Sequence, residues 1–304
     1  MRIVFMGTPD FAVASLKALL DHGHEVVGVI TATDKLGGRG GKQVMESAVK
    51  KFAKSANLTI LQPKNLKASE FLDQLRALQA DLQVVVAFRM LPVVVWDMPP
   101  KGTINLHGSI LPKYRGAAPI NWAVINGEPE TGVSTFFLQH AIDTGDLLFI
   151  EKIPILPHDT AGTVHDKLME VGAKLIVKTV NAIAEDNYTS TPQDHSLVSK
   201  APKIFHDTCA IDWNQPTQQV YNFIRGLSPY PAAWTLLEEK NLKIYEARPE
   251  HIEHDDRPGR MLTDQKTYLK FTTQDGIIDI LELKLAGKRR MKVGDFLNGF
   301  KFSA

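Results

Sequence analysis

The stretch RIVFMGTPDFAVASLKALLDHGHEVVGVI, residues 2–30, decides the fold class through the order of its periodicities. Ile3 to Met6 is an unbroken apolar run stopped by Gly7, the pattern of a strand buried on both faces. Pro9 suits a helix's first turn, and Phe11, Ser15, Leu16, Leu19 and Leu20 follow at helical spacing. Glu25 to Ile30 reads as a second strand. Strand, helix, strand in this order implies a right-handed crossover and a parallel sheet. The connecting turn, Gly7-Thr8-Pro9-Asp10, lacks the G-x-G-x-x-G that admits a dinucleotide pyrophosphate and the G-K-[ST] of a phosphate loop. Nicotinamide and ATP chemistry are therefore set aside.

Outward from this unit, 304 residues with 44% hydrophobic content suffice for a sizeable core and two domains. A net charge of +1 argues against wholesale coating of nucleic acid, so any such contact must come from local clusters. One cysteine, Cys209, excludes an internal disulfide framework and a cysteine zinc site, and fits a reducing compartment. The apolar run after Met1-Arg2 is too short for a signal peptide or a membrane span. A cytoplasmic protein without membrane contact is the expectation.

Residues 31–42 carry four glycines with Lys35, Arg39 and Lys42, a composition suited to a mobile basic loop that orders on a phosphate chain. The pattern then predicts a helix over 43–56, a strand over 58–61, a helix over 68–78, a strand over 82–88 and, after 160, a long helix with Leu168, Val171, Leu175, Ile176 and Thr179 on one stripe. From Asn187 to Lys203 the chain is polar and without period, and 190–205 is read as a linker. Beyond it come a helix over 216–226 and five short strands, two of them joined through Gln274-Asp275-Gly276. That pattern suggests a small antiparallel barrel of the OB type. The expected fold is thus α/β: a Rossmann-like, mostly parallel sheet with helices on both faces (1–189), then an OB-like β-barrel domain (206–304). His251 and His254 sit between prolines in a polar loop with no apolar shell to orient them, and no metal site is expected.

The chemistry concentrates in GTINLHGSILPKYRGAAPINWAVINGEPETGVSTFFLQHAIDTGD, residues 102–146. Asn105 and His107 alternate with Ile104 and Leu106, so in a strand the amide and the imidazole share a face. Gly108, Pro112 and Gly116 then make a binding loop at the strand end, and Asp143 lies in a turn-rich segment after the run 133–138. Amide, imidazole and carboxylate on neighbouring strand ends suit acyl transfer. Taken singly, each has a structural explanation: a hydrogen-bonded histidine, a turn-capping asparagine, a solvated Asp-Thr-Gly-Asp turn.

The whole string changes that balance. Asn105 to Pro112, Tyr114 to Ile120 and Asp143 to Asp146 resemble the formyltetrahydrofolate-dependent formyltransferase family, as do Gly7 to Ala12, Gly38-Arg39-Gly40, Asp159 to Gly162, Ile211-Asp212-Trp213 and Pro229 to Trp234. The resemblance implies Asn105, His107 and Asp143 as catalytic residues. It implies Ser109, Ile110, Leu111 and Pro112, bordered by Phe88, Met90 and Leu91, as the 10-formyltetrahydrofolate site. It further implies a metal-free monomer acting on initiator methionyl-tRNA, with Lys35, Arg39, Lys42, Lys203, Arg289 and Arg290 as tRNA contacts in the basic loop, linker and C-terminal domain. His206 stands where the family tends to carry a second lysine. A sugar-nucleotide amine as acceptor, and a nucleic-acid-binding relative with a dead site, remain the alternatives.

Overall fold

Strand β1 (Arg2–Gly7) lies between β2 (Glu25–Ile30) and β6 (Leu82–Val86), parallel to both, in a seven-stranded sheet. The structure, a computed structural model, describes residues 1–37, 40–41 and 43–302, so Arg39 and Lys42 of the basic loop lie outside the described residues. Contacts divide the chain into two compact units: Met1–Gly116, Gly132–Ile153 and Asp166–Lys200 form one, and Ala117–Thr131, Pro154–His165 and Ala201–Ala304 the other.

In the first unit the sheet order is β10-β9-β7-β6-β1-β2-β5, where β5 is Ile60–Leu61, β7 Thr103–His107, β9 Glu130–Phe137 and β10 Leu147–Pro154. β6 and β7 are parallel; β9 runs antiparallel to β7. Helix α1 (Asp10–Asp21) makes the expected crossover, burying Phe11, Ala12, Ser15, Leu16 and Leu19. Leu16 and Leu19 are each 0% exposed, so truncating either to Ala costs about 2–5 kcal/mol. Gly7 is where β1 yields to that helix: a Cβ there would lie 2.6 Å from the Ala12 Cβ and 3.0 Å from the Val86 carbonyl oxygen, a backbone approach only glycine permits. A core cluster of Val4, Met6, Ile30, Phe71, Leu75 and Val85 joins β1, β2 and β6 to α3 (Ser69–Ala77). The expected parallel α/β fold is present.

The helix expected over 43–56 is shorter than its pattern. Gln43–Met45 is a strand, β4, paired antiparallel with β3 (Lys35–Gly37), and helix α2 is Ala48–Ser55. The Ser47 hydroxyl accepts the Lys50 N–H at 3.0 Å and caps α2, so side-chain capping sets the start that hydrophobic period alone placed five residues early. The run 93–98 contains a single helical turn, α4 (Val93–Trp96). The stretch 190–200 is not slack. Thr191 exchanges backbone hydrogen bonds of 2.8 and 2.9 Å with Leu147, and the Arg115 N–H donates to the Ser199 carbonyl.

The remaining elements are β8 (Arg115–Gly116), α5 (Pro119–Ile125), α6 (Ala161–Ala184) and β11 (Lys200–Ala201), followed by the C-terminal part. There α7 (Thr217–Leu227) precedes β12 (Ala233–Leu237), β13 (Lys240–Glu250), β14 (Met261–Thr263), β15 (Leu269–Thr272), β16 (Ile277–Leu285), β17 (Met291–Lys292) and α8 (Val293–Gly299). The sheet is antiparallel in the order β12-β13-β16-β15-β14, with β17 on β16, and it curls into an OB-like half-barrel. Its core packs Val220, Ile224 and Leu227 of α7 against Leu242, Ile244 and Ile280, while Trp213 stacks on Phe271 at 4.7 Å. The expected hairpin joins β15 to β16 at residues 273–276.

Candidate active site

Strand β7 ends at the sheet's carboxyl edge, where the parallel strands β6 and β7 also end, which is where open α/β sheets place ligands. Asn105 pairs with Val85 on one side and Phe136 on the other, and is half-buried. Its carboxamide has no hydrogen-bond partner among the described residues. Two residues on, and on the same face, His107 is buried to 7% exposure.

Two neighbours define the imidazole. Nε2 lies 2.9 Å from the Tyr114 carbonyl oxygen. A carbonyl only accepts, so Nε2 carries the hydrogen, and in the neutral ring Nδ1 holds the lone pair. Nδ1 faces Asp143 Oδ2 at 3.7 Å, beyond hydrogen-bond range but close enough for strong attraction once the ring is protonated. Asp143 is 8% exposed, and its Oδ2 accepts the Gly116 N–H at 2.9 Å. The structure thus brings His107 and Asp143 together, and the hydrogen bond that orients the ring comes from the Tyr114 carbonyl rather than from Asp143. Tyr114 and Asp143 both hold left-handed backbone, at φ 60° and 54°, a conformation that costs a non-glycine residue energy and persists where surrounding bonds fix it.

The 109–112 loop is riveted from below. The Ser134 hydroxyl, on the residue opposite His107, accepts the Leu111 N–H at 3.1 Å and donates to the Ser109 carbonyl at 2.7 Å. Ser109 donates to the Lys113 carbonyl at 2.6 Å. Leu111 is 2% exposed and Ser109 is fully buried, so these two side chains support the loop, while Ile110 and Pro112 remain partly open. Beside β6, Leu91 packs in the core, Phe88 is half-buried against it, and Met90 is 71% exposed. Of the three apolar residues expected to border a ligand, Met90 and Phe88 have accessible surface to offer and Leu91 acts from behind.

The cations expected to meet tRNA differ in availability. Lys35 is exposed on β3. In the C-terminal unit Lys203 sits 5.3 Å from the Phe205 ring centroid, and Arg289 is exposed without an ion-pair partner among the described residues. Arg290 is tied to Glu282 at 2.5 Å and stacked on Tyr245 at 4.3 Å. Among the described residues no group of three or more His, Cys, Asp or Glu side chains is arranged to hold a metal, and His254 Nε2 lies 2.8 Å from the Gly276 carbonyl oxygen.

Sequence reasoning missed the Tyr114 carbonyl and the Gly116 N–H, since backbone groups leave no residue-type signal, and it missed the Ser134 hydroxyl, since a serine within a strand carries no sign of the loop that it holds. Together the arrangement offers an unsatisfied amide donor, an imidazole lone pair and a buried carboxylate within reach of that imidazole. Such a set suits polarising a carbonyl while taking a proton from its attacker.

Comparison with known proteins bears on that chemistry. The formyl transferase family model matches residues 1–180, and that of the formyl transferase C-terminal domain matches 203–301. A methionyl-tRNA formyltransferase of Parabacteroides distasonis is 55% identical over 311 residues, covering 99% of this chain and 96% of the relative. That of Flavobacterium johnsoniae is 49% identical, covering 100% and 97%. Among solved structures, HypX from Aquifex aeolicus in complex with tetrahydrofolic acid aligns with a TM-score of 0.69 at 19% identity, covering all of this chain and 48% of that one. An N-formyltransferase from Helicobacter canadensis with folinic acid and dTDP-3-aminofucose aligns at 0.67 and 18% identity, covering 95% and 99%. At these identities the structural likeness speaks for the fold.

Proposed function

The chain belongs to the formyl transferase family, and from that premise we infer that it transfers the formyl group of 10-formyltetrahydrofolate to the α-amino group of methionyl initiator tRNA, for translation initiation. The observation that carries this is full-length similarity, at about half of all positions, to several methionyl-tRNA formyltransferases. Both units take part in the match, so the acceptor assignment does not rest on the catalytic motif alone.

The residues divide the work as follows. The amine nitrogen attacks the formyl carbon, and the carbonyl oxygen gathers negative charge. Asn105, with its amide donors unclaimed, stabilises that oxygen, a contribution of about 3–4 kcal/mol in comparable sites. His107 takes the amine's proton at Nδ1, its Nε2 being committed to Tyr114, and returns it to the departing folate nitrogen as the old C–N bond breaks. Asp143 favours the imidazolium that exists between those transfers. The 109–112 loop, with Phe88 and Met90, would hold the folate, and Leu91 would back it. Lys35, Arg39, Lys42, Lys203, Arg289 and Arg290 would contact tRNA phosphates. A monomer in the cytoplasm, needing no metal, suits these roles, and no helix among the described residues is long and apolar enough to cross a membrane.

The deciding experiment offers the purified protein a labelled formyl donor with aminoacylated initiator tRNA or with a sugar-nucleotide amine. Label should pass to the tRNA. Equal or faster transfer to the sugar nucleotide overturns the acceptor.

A further inference from the structure

Gln193 lies in the polar, aperiodic stretch that the sequence gives no reason to single out, yet its side chain is 5% exposed and makes four hydrogen bonds. Its Nε2 donates to the carbonyl oxygens of Asp143 at 3.0 Å and Gly145 at 2.7 Å. Its Oε1 accepts from Arg115 Nε at 3.0 Å and Nη2 at 2.5 Å. The amide's orientation follows from chemistry, since a guanidinium only donates and a carbonyl only accepts. Arg115 is in turn adjacent to Gly116, whose N–H holds the Asp143 carboxylate. One carboxamide therefore ties together both segments that fix Asp143: the left-handed turn that carries it and the strand that binds its oxygen. Burial pushes the Arg115 guanidinium down and the Asp143 charge opposes this, which places Arg115 within the electrostatic reach of the same carboxylate.

We propose that Gln193 is a positioning residue for formyl transfer, setting the Asp143 carboxylate against the His107 imidazole by clamping the 143–145 turn to Arg115. This rests on Asn105, His107 and Asp143 forming the catalytic set. Gln193 touches no reacting atom; it acts by denying the turn any other arrangement. A residue that merely filled space or satisfied Arg115 would be replaceable by glutamate, which keeps the acceptor for the guanidinium. Glutamate loses both donors to the turn and sets a carboxylate against two carbonyl oxygens, so the proposal predicts that it fails as alanine does.

The test measures kcat and KM for both substrates in wild type, Gln193→Ala, Gln193→Glu, Asp143→Asn and the two double variants combining Asp143→Asn with each Gln193 change, with thermal midpoints recorded for all. Each Gln193 single variant should lower kcat about ten- to a hundredfold, the cost of misplacing a group by about an ångström, with KM shifted less than about threefold. In the Asp143→Asn background the same changes should lower kcat less than about threefold, because residues acting as a unit are not additive. Wild-type kcat in Gln193→Glu, or the full loss repeated in the Asp143→Asn background, overturns the proposal. Wild-type kcat in Asp143→Asn removes the catalytic set on which it rests. Should the alanine variant fail to fold, the glutamate cycle, which preserves side-chain volume and the Arg115 bond, decides on its own.

Discussion

His107 gives its Nε2 hydrogen to the backbone carbonyl of Tyr114, seven residues away, across 2.9 Å. That bond leaves the lone pair on Nδ1 in the neutral ring and turns Nδ1 toward Asp143, the nitrogen through which the proposed mechanism moves a proton. The side chain that matters most is thus aimed by a main-chain group, which no substitution of Tyr114 by another residue removes as long as the backbone holds. A Tyr114→Phe variant should accordingly retain its kcat within about threefold, whereas loss comparable to that of His107→Ala would mean that the phenol takes part.

Asn105 is the second group to test. Asn105→Ala should lower kcat at least about a hundredfold, the range for removing one oxyanion donor, and leave the thermal midpoint close to wild type, because its amide has no internal partner to lose. Single-turnover kinetics with saturating substrates check this, and a variant that keeps its rate assigns the oxyanion elsewhere.

Gly145→Ala should be costly in a way unrelated to helix or turn propensity. A Cβ there runs into the Phe137 carbonyl oxygen, so β9 or the 143–145 turn must shift, for about 1–3 kcal/mol of stability. Because the Gly145 carbonyl is one of the two held by Gln193, the shift should also lower kcat. Thermal unfolding with steady-state assays reads both, and an unchanged midpoint contradicts the packing.

Salt dependence separates the cations. Lys203→Ala and Arg289→Ala should each weaken tRNA binding across acceptor sequences and reduce the slope of log K against log salt by about one. Arg290→Ala should instead lower stability along with affinity, since its guanidinium is paired with Glu282 and stacked on Tyr245. Binding titrations over a range of salt concentrations measure the slopes.

The C-terminal unit offers a pH prediction. Asp275 accepts the Thr217 N–H and hydroxyl, both at 2.7 Å, and so caps α7 from the β15–β16 hairpin. The backbone bond first, and then the side-chain bond, holds this carboxyl below the usual carboxylate range. A depressed folded value means the stabilisation is complete above the unfolded value of about 3.9 and is lost as pH falls through the folded one. Asp275→Asn should therefore cost about 0.5–1 kcal/mol at neutral pH, a modest figure because the group is exposed, and the gap to wild type should narrow in acid. Melting curves at pH 7 and about pH 3 compare the two; a gap that widens in acid contradicts the cap.

How much of this was legible in sequence follows the physics of each signal. Ile3–Met6, the α1 stripe and the 277–285 strand declare themselves through burial on a fixed period, and all three are present. The helix over 43–56 was overextended because Val44 and Met45 fit a helical face equally well, while the β3–β4 pairing and the Ser47 cap are decided by tertiary partners. Asn105, His107 and Asp143 were visible as residue types in an unusual string. Tyr114, Gly116 and Gln193 were not, because two of them act through the backbone and the third lies in a segment whose polarity resembles any linker.

In the proposed mechanism His107 moves the proton of formyl transfer. A single-turnover measurement, with enzyme in excess over methionyl-tRNA and saturating 10-formyltetrahydrofolate, compares wild type with His107→Ala alongside the tRNA dissociation constant of each. The transfer rate should fall at least about a hundredfold while tRNA affinity changes less than about threefold. An undiminished rate in His107→Ala would contradict the account.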